Sequence, residues 1–534
     1  MRRTARQRLG HEELRPGQEE AIIALLSGHD TLAVLPTGSG KSAIYQIAGA
    51  LIPGATVVVS PLIALQRDQV EALAGEGVGE AALLNSTQRE AEREEALAEL
   101  EEGDLEFLFL APEQFAKEET RERLHEAKPS LFVVDEAHCI SEWGHDFRPE
   151  YLRLGAVVDA LNRPRILALT ATASPPVREE IIERLGMRKP RVVVHGFDRP
   201  NIHLAVKGFG DEEEKRAALV ARVADARKPG IVYAATRKHT EELAEALIEQ
   251  GVNAVAYHAG RPAGERTRVQ DAFMTGEAEV IVATTAFGMG VDKPDVRFVY
   301  HLDISDSVDA YYQEIGRAGR DSEPAEAILF YRPEDLNLRR FFAGSGQVDA
   351  EQIEQVAEAV QDAKGPVEVA ELSEEVDLSR TKVSVALSRL EDAGAVDILP
   401  SGEVMATDED PAEVAEEAAE AQENLQKFAR SRIEMMRCYA DMRDCRREYI
   451  LNYFGERYTP PCGNCDNCDE GLVTAPSFTD RPFPLNSQVV HKEWGEGLVM
   501  RYAGDTIVVL FDSVGYRTLA LDLVLEKELL TPVP

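Results

Sequence analysis

The chain has 534 residues and a formal net charge of −37, with 95 Asp and Glu against 58 Lys and Arg. That length suggests three or four domains at ~150 residues each, and an apolar share of 44% is that of a globular protein. The charge excludes non-specific nucleic-acid binding by the surface as a whole, though not a local basic groove, and no apolar run is long enough to span a bilayer. The basic start, MRRTARQRLGHEE, has no apolar core of the kind a signal peptide carries, so a cytoplasmic protein without membrane contact is expected.

The first recognisable stretch, Leu14-Arg15-Pro16-Gly17-Gln18, precedes an amphipathic helix over Glu19 to Leu26. An apolar run, Thr31 to Leu35, reads as a buried strand and runs into Pro36-Thr37-Gly38-Ser39-Gly40-Lys41-Ser42, after which Ala43 to Ala48 opens a helix. Strand, glycine loop, Lys-Ser and helix together cradle nucleotide phosphates on backbone N–H groups and a helix N-terminus. Thr37, Gly38, Ser39 and Gly40 supply that loop, Lys41 the β- and γ-phosphate contact, and Ser42 a Mg²⁺ ligand. Leu35 stands where the strict phosphate-loop pattern has its first glycine. The form Thr-Gly-x-Gly-Lys-Ser instead resembles superfamily 2 helicases.

Further strands are predicted at Thr56 to Leu62, Glu106 to Leu110 and Leu131 to Val134, with a helix over Ile63 to Leu73. Strands and helices alternating at this length imply a parallel sheet covered on both faces, with ligands at the carboxyl ends of the strands. Asp135-Glu136-Ala137-His138 falls at such an end. Asp135 suits Mg²⁺, usually through water, and Glu136 suits orienting and deprotonating the attacking water. Then comes Cys139-Ile140-Ser141-Glu142-Trp143-Gly144-His145-Asp146-Phe147-Arg148. Trp143 and Phe147 offer faces for stacked bases, worth ~1–3 kcal/mol each, and Arg148 adds charge or cation–π contact.

These motifs resemble RecQ-type helicases. The resemblance implies that Gln18 reads the adenine edge with Arg15 in support, although His11 stands where an aromatic is often found. It implies that the loop with Trp143, His145, Phe147 and Arg148 senses single-stranded DNA. It further implies that His138, with Thr170 and Thr172 in Leu167-Ala168-Leu169-Thr170-Ala171-Thr172-Ala173, couples hydrolysis to movement. The first lobe is placed at 1–200.

Gly196-Phe197-Asp198-Arg199-Pro200-Asn201 reads as a linker to a second lobe, 201–342. Its strands are expected at Gly230 to Ala234, Ala254 to Tyr257, Glu279 to Ala283 and Phe298 to Leu302, with no phosphate loop of its own. Thr284-Thr285-Ala286-Phe287-Gly288-Met289-Gly290-Val291-Asp292-Lys293-Pro294 and Tyr312-Gln313-Glu314-Ile315-Gly316-Arg317-Ala318-Gly319-Arg320-Asp321 match the RecQ pattern nearly residue for residue. By that resemblance Asp292 belongs to the ATP site and Gln313 to coupling. Arg317 and Arg320, which share a face if the stretch is helical, act as arginine fingers, an effect of ~10³–10⁵ in rate.

Past Phe342 the order departs from the usual RecQ one. Residues 343–407 read as a helix-turn-helix with a wing around Pro400-Ser401-Gly402, resembling bacterial winged-helix domains. Arg380, Lys382, Ser384, Ser388 and Arg389 are the polar residues of its second helix. Arg380, Lys382 and Arg389 are the DNA contacts expected, with a protein-binding wing nearly as well supported. A spacer helix, Pro411 to Asn424, and a second helical run lead into 408–472, where Cys445, Cys462, Cys465 and Cys468 have metal spacing and match the RecQ zinc module. Four thiolates suit tetrahedral Zn²⁺. An iron–sulfur cluster is the rival, but the Cys-Pro that should follow is absent. Residues 485–534 alternate apolar and polar between turn glycines, which suggests a small five-stranded barrel. It resembles the Tudor-like tail of UvrD-type helicases, a protein-partner module, with a simple cap as the alternative.

The sequence is therefore read as an α/β chain of two RecA-like parallel-sheet lobes, a winged helix, a helical zinc module and a small SH3/Tudor-like barrel. It is expected to be an ATP-, Mg²⁺- and Zn²⁺-dependent DNA helicase of RecQ type, moving 3′ to 5′ on single-stranded DNA and forked duplex in repair and recombination. The alternatives are a DNA-stimulated translocase with weak unwinding, or a scaffold recruiting other proteins.

Overall fold

Short apolar runs bounded by glycine, proline and polar turns become the strands of two parallel sheets. A computed structural model describes the chain except residues 9–12, 62, 77–78, 86–87, 142–147, 289–290, 292, 345–347, 364, 408–410, 474–481, 486, 512 and 534. The chain divides into two compact units, Met1–Gly196 with Gly346–Leu425, and Phe197–Ser345 with Gln426–Pro534. Among the described residues no helix is long and apolar enough to cross a membrane.

In the first unit the strands are β1 (Thr31–Val34), β2 (Thr56–Val59), β3 (Ala81–Leu84), β4 (Phe107–Leu110), β5 (Leu131–Val134), β6 (Arg165–Thr170) and β7 (Arg191–Val194). They form one parallel sheet in the order β3-β4-β2-β5-β6-β1-β7. Residues such as Ala33, Val58, Val133 and Leu167 are fully buried in its core. The order sets the chemistry: β5, β6 and β1 are neighbours, so the three loops leaving their carboxyl ends lie side by side. The sequence reading passed over β3 and β7. Both are edge strands with partly exposed side chains, although each carries a short apolar run, Ala81–Leu84 and Val192-Val193-Val194.

The second unit holds β8 (Ile202–Gly208), β9 (Gly230–Tyr233), β10 (Ala254–Tyr257), β11 (Val280–Ala283), β12 (Phe298–His301) and β13 (Ala325–Tyr331), parallel in the order β10-β11-β9-β12-β13-β8. Four of these were expected. β8, which directly follows the expected linker, is a half-covered edge and was not among the expected strands. β13 is interrupted by Glu326, whose carboxylate is taken up by Arg222 and Tyr300.

Residues 349–406 add three helices, Ala350–Asp362, Val369–Glu375 and Arg380–Asp392, and the antiparallel pair β14 (Val396–Ile398) and β15 (Val404–Ala406). Asp349 and Gln352 close a capping box on the first helix, and Ser379 caps the third. Ile353, Val356, Leu372, Val383, Leu387 and Val404 make a separate core. This assembly lies against the first lobe: Arg184 donates to Ser388 Oγ (3.2 Å) and Glu391 Oε2 (3.0 Å), and Arg153 to the Ser401 carbonyl (3.3 Å).

The spacer and the run after it form a single helix, Pro411–Asp441, followed by Arg446–Tyr453. Neither Gly nor Pro separates the two expected segments, so nothing stops the helix between them. The tail is an antiparallel sheet of β16 (Gln488–His491), β17 (Gly495–Ala503), β18 (Thr506–Phe511), β19 (Gly515–Ala520) and β20 (Leu530–Pro532), in the order β19-β18-β17-β16-β20. It is fixed to the helices before it. The Tyr516 N–H donates to Ser431 Oγ (3.1 Å), Tyr516 stacks on Phe428, and the Arg501 guanidinium lies 4.0 Å from the centre of the Tyr449 ring.

Candidate functional site

The loop after β1 has the geometry of an anion cradle. Gly38 and Gly40 both have positive φ, +77° and +73°, which turns the backbone sharply into the helix Ser42–Gly49. Leu35 is accommodated because Gly17 lacks a side chain: a Cβ at Gly17 would lie 2.6 Å from Leu35 Cδ2. The buried Gln18 amide donates to the carbonyls of Ser39 (2.8 Å) and Gly40 (2.9 Å), and Arg15 to that of Gly38. Gln18 and Arg15 thus grip the loop itself. Lys41 Nζ rests on the Leu35 carbonyl (3.4 Å), and the buried hydroxyl of Ser39 has no hydrogen-bond partner among the described residues. An orphaned donor inside a ring of loop amides fits phosphate oxygens.

Asp135 and Glu136 leave β5 beside this loop. Burial pushes the Asp135 carboxyl up to about 7; repulsion from Glu136 adds to this, and the charge of Lys41 opposes it. A carboxylate so placed is stabilised by a cation, which fits Mg²⁺ held with Ser42. Glu136 occupies the left-handed region at φ +48°, and among the described residues its buried Oε2 accepts no hydrogen bond, although His138 Nδ1 lies 3.4 Å away. His138 Nδ1 is 3.0 Å from Thr170 Oγ1, which donates in turn to the Thr172 carbonyl (2.9 Å). The three residues expected to couple on this lobe therefore form one hydrogen-bonded chain, whose first member, His138, lies 3.4 Å from Glu136. Tyr151, to which the sequence assigned no role, donates its hydroxyl to the Asp135 carbonyl (3.2 Å).

Trp143, His145 and Phe147 lie outside the described residues, as does Asp292. Arg148 is half-buried at the loop's end, its N–H bonded to the Cys139 carbonyl (2.8 Å). Of the three cations expected to meet DNA, Arg380 is exposed and Lys382 is half-buried, reaching Gln352 (3.3 Å). Arg389 is buried, 3% exposed, on the helix whose Ser388 and Glu391 accept from Arg184.

In the second unit Gln313 lies half-buried on the helix Val308–Ile315. That helix ends at Ile315, so Arg317 and Arg320 are carried by turns and do not share a helical face. Arg317 is buried and donates to the Gly288 carbonyl, while Arg320 is half-buried. Arg199 and Asn201, read only as linker, hydrogen-bond the turns that carry these arginines. No local periodicity marks them; the only available signal was two polar residues around a proline.

Cys445, Cys462, Cys465 and Cys468 bring their sulfurs within 4.8 Å of one another, with Cys462 and Cys468 3.8 Å apart. Tetrahedral Zn²⁺ with Zn–S bonds of ~2.3 Å needs sulfurs ~3.8 Å apart. The close sulfurs couple through hydrogen bonds, so that Cys462 is driven below its usual range while Cys445 and Cys465 are driven above it. The donor set fits zinc.

Family models match three parts of the chain: DEAD/DEAH box helicase over residues 15–181, helicase conserved C-terminal domain over 214–322, and RecQ zinc-binding over 405–469. The probable ATP-dependent DNA helicase RecS of Bacillus subtilis is 36% identical over 91% of this chain and 96% of its own length. The ATP-dependent DNA helicases RecQ of Pasteurella multocida and Haemophilus influenzae are each 36% identical, over 86% and 87% of this chain; the chain spans 60% and 64% of their lengths. Among solved structures, Mycobacterium smegmatis helicase Lhr bound to single-stranded DNA and AMP-PNP aligns with a TM-score of 0.51 at 21% identity, covering 78% of this chain and 60% of that one. That likeness concerns the fold alone.

Proposed function

Because the chain belongs to the RecQ family of superfamily 2 helicases, we propose that it is an ATP- and Mg²⁺-dependent DNA helicase. It moves 3′ to 5′ along single-stranded DNA and opens forked duplex in repair and recombination, in the cytoplasm at the nucleoid. Lys41 and the loop Thr37–Ser42 hold the phosphates, Ser42 and Asp135 hold Mg²⁺, and Glu136 activates water. Gln18 and Arg15 serve the adenine end and Asp292 the nucleotide, while Arg317 and Arg320 supply charge to the γ-phosphate in the transition state. His138, Thr170, Thr172 and Gln313 couple hydrolysis to the strand held by Trp143, His145, Phe147 and Arg148. Zn²⁺ on the four cysteines is structural. Residues 343–407 act as a winged helix and 485–534 as a small SH3/Tudor-like barrel with a protein partner; 1–200, 201–342 and 408–472 are the remaining functional divisions.

The observation that carries this reading is the acid pair beside the phosphate loop, with His138 of the chain His138–Thr170–Thr172 lying 3.4 Å from Glu136. Bound Mg²⁺ would supply charge neutralisation for the phosphates; the protein's own part is to orient water at Glu136 and hold the proton taken from it. Glu136→Gln should bind ATP with unchanged affinity and turn it over at least 10²-fold more slowly, as expected when a positioned base is lost. Normal turnover by that variant in a DNA-stimulated ATPase assay would overturn the assignment. The reading as a translocase with weak unwinding has one observation in its favour: the 349–406 assembly is tied to the first lobe through Arg184. Comparing strand separation with hydrolysis on the same forked substrate separates the two readings.

A further inference from the structure

The inter-lobe linker holds the turns that carry Arg317 and Arg320. Helix Val308–Ile315 ends at Gly316; the carbonyls of Tyr312, Glu314 and Ile315 accept from the N–H groups of Gly316, Arg317 and Ala318, and the turn beyond the helix presents its own carbonyls in turn. The Arg199 guanidinium takes that end: Nη1 donates to the Gly316 carbonyl (2.9 Å), and Nη2 to those of Ala318 (2.8 Å) and Gly319 (3.1 Å). A cation is favoured at a helix C-terminus, and only a planar fork reaches carbonyls on two sides at once. Burial lowers the basicity of Arg199, and among the described residues no carboxylate is bonded to it. Its charge is therefore solvated by the turn itself. Asn201 continues the clamp, donating to the carbonyls of Gly319 (2.8 Å) and Glu323 (2.9 Å). The approach is so close that a Cβ at Gly319, where φ is +55°, would lie 2.4 Å from Asn201 Nδ2.

The linker is anchored from its other side. Phe197 stacks on Phe454 with ring centres 4.6 Å apart, and its N–H donates to Glu456 (2.9 Å). Arg447 pairs with Asp198 (2.5 Å), and the Asn464 amide donates to the Pro200 carbonyl (2.8 Å). Ile315 and Gly316 line a small cleft together with Arg199 and Arg447, so the turn, the linker and the helix Arg446–Tyr453 meet there.

We propose that Arg199 and Asn201 are positioning residues for ATP hydrolysis: they fix the turn Gly316–Arg320 so that Arg317 and Arg320 meet the transferred phosphate at the right place. This rests on the proposed role of those two arginines. Neither Arg199 nor Asn201 touches nucleotide in this account; both act through carbonyls. A misplacement of ~1 Å at a positioned group costs ~10²-fold in rate. Loss of the clamp should accordingly lower kcat and leave nucleotide affinity alone.

The test compares full-length wild type with Arg199→Ala, Arg199→Lys, Asn201→Ala, Arg317→Ala and the double variant Arg199→Ala/Arg317→Ala. It measures kcat and KM for ATP at saturating single-stranded DNA, and the binding of a non-hydrolysable ATP analogue. Arg199→Ala should lose ~10–100-fold in kcat with KM and analogue affinity nearly unchanged. Arg199→Lys should recover part of the loss. The double variant should be no slower than Arg317→Ala, because both changes act on one device. Wild-type kcat in Arg199→Ala beside a disabled Arg317→Ala would overturn the clamp alone. So would a double variant slowed by the product of the two single effects. Wild-type kcat in Arg317→Ala would overturn the arginine reading and the clamp with it. If Arg199→Ala melts early, Asn201→Ala decides: reduced kcat at unchanged KM supports the clamp, and unchanged kcat overturns it.

Discussion

Asp135 shows what a single side chain costs when it is built for a cation. Protein crowds its carboxyl enough that desolvation leads its titration, and the value of about 7 lies above the 3.8 of an ordinary aspartate. A carboxyl whose folded value is raised stabilises the fold fully below its unfolded value, and that contribution is lost as pH rises through the folded value. The nucleotide-free protein should therefore lose stability between about pH 4 and pH 7 through this group. Asp135→Asn should flatten that part of the profile and raise the melting temperature at pH 8, at ~2–4 °C per kcal/mol recovered, while abolishing hydrolysis. Thermal melts of both proteins at pH 5 and pH 8 check it; an equal effect of the substitution at both pH values would show that Asp135 ionises freely. Lys41, Asp135 and His138 could be found in sequence because each stands at a fixed offset from the end of an apolar run. Arg389 could not be placed that way. Helical periodicity says which residues share a face but not what covers the face, and here Arg389 is buried.

At the scale of elements, central strands were legible and edges were not. β1, β2 and β5 are buried at every position because both faces are covered, whereas β3, β7 and β8 at the sheet edges have partly open faces. The edge strand β8 also explains where the cysteine module sits. Cys465 makes an isolated parallel bridge to Leu204, the Leu204 N–H reaches the Asn464 carbonyl (3.4 Å), and Asp466 accepts from the Val206 N–H (2.8 Å). The four-cysteine turn thus protects an otherwise open sheet edge. Structural zinc sites contribute ~10–16 kcal/mol, as much as a domain's whole stability. Cys462→Ser should lose one zinc per chain by elemental analysis and become less soluble as β8 is uncovered. Full solubility after zinc loss would mean that packing such as Phe197 on Phe454 holds the module without metal. Iron and visible absorbance in pure protein would remove the zinc assignment.

For the whole molecule the governing quantity is charge. A body at −37 is repelled by phosphates at long range, so DNA must be held by a few local cations. Each phosphate neutralised contributes ~0.9 to the slope of log affinity against log salt on duplex and ~0.7 on single strands. The exposed Arg380 and half-buried Lys382 stand at the start of helix Arg380–Asp392, whose N-terminal end also favours anions. Its other end is committed to the first lobe through Ser388 and Glu391. If the 349–406 assembly grips duplex, Arg380→Ala/Lys382→Ala should reduce the duplex salt slope by up to ~1.8, two contacts' worth. Single-strand stimulation of the ATPase should persist, because the acid pair and its hydrogen-bonded chain lie wholly outside that assembly. The measurement is duplex binding by fluorescence anisotropy at several salt concentrations, alongside unwinding of a forked substrate. An unchanged slope together with normal unwinding would turn this helix end toward a protein partner, and the reading as a scaffold would then account for the assembly better than duplex contact does.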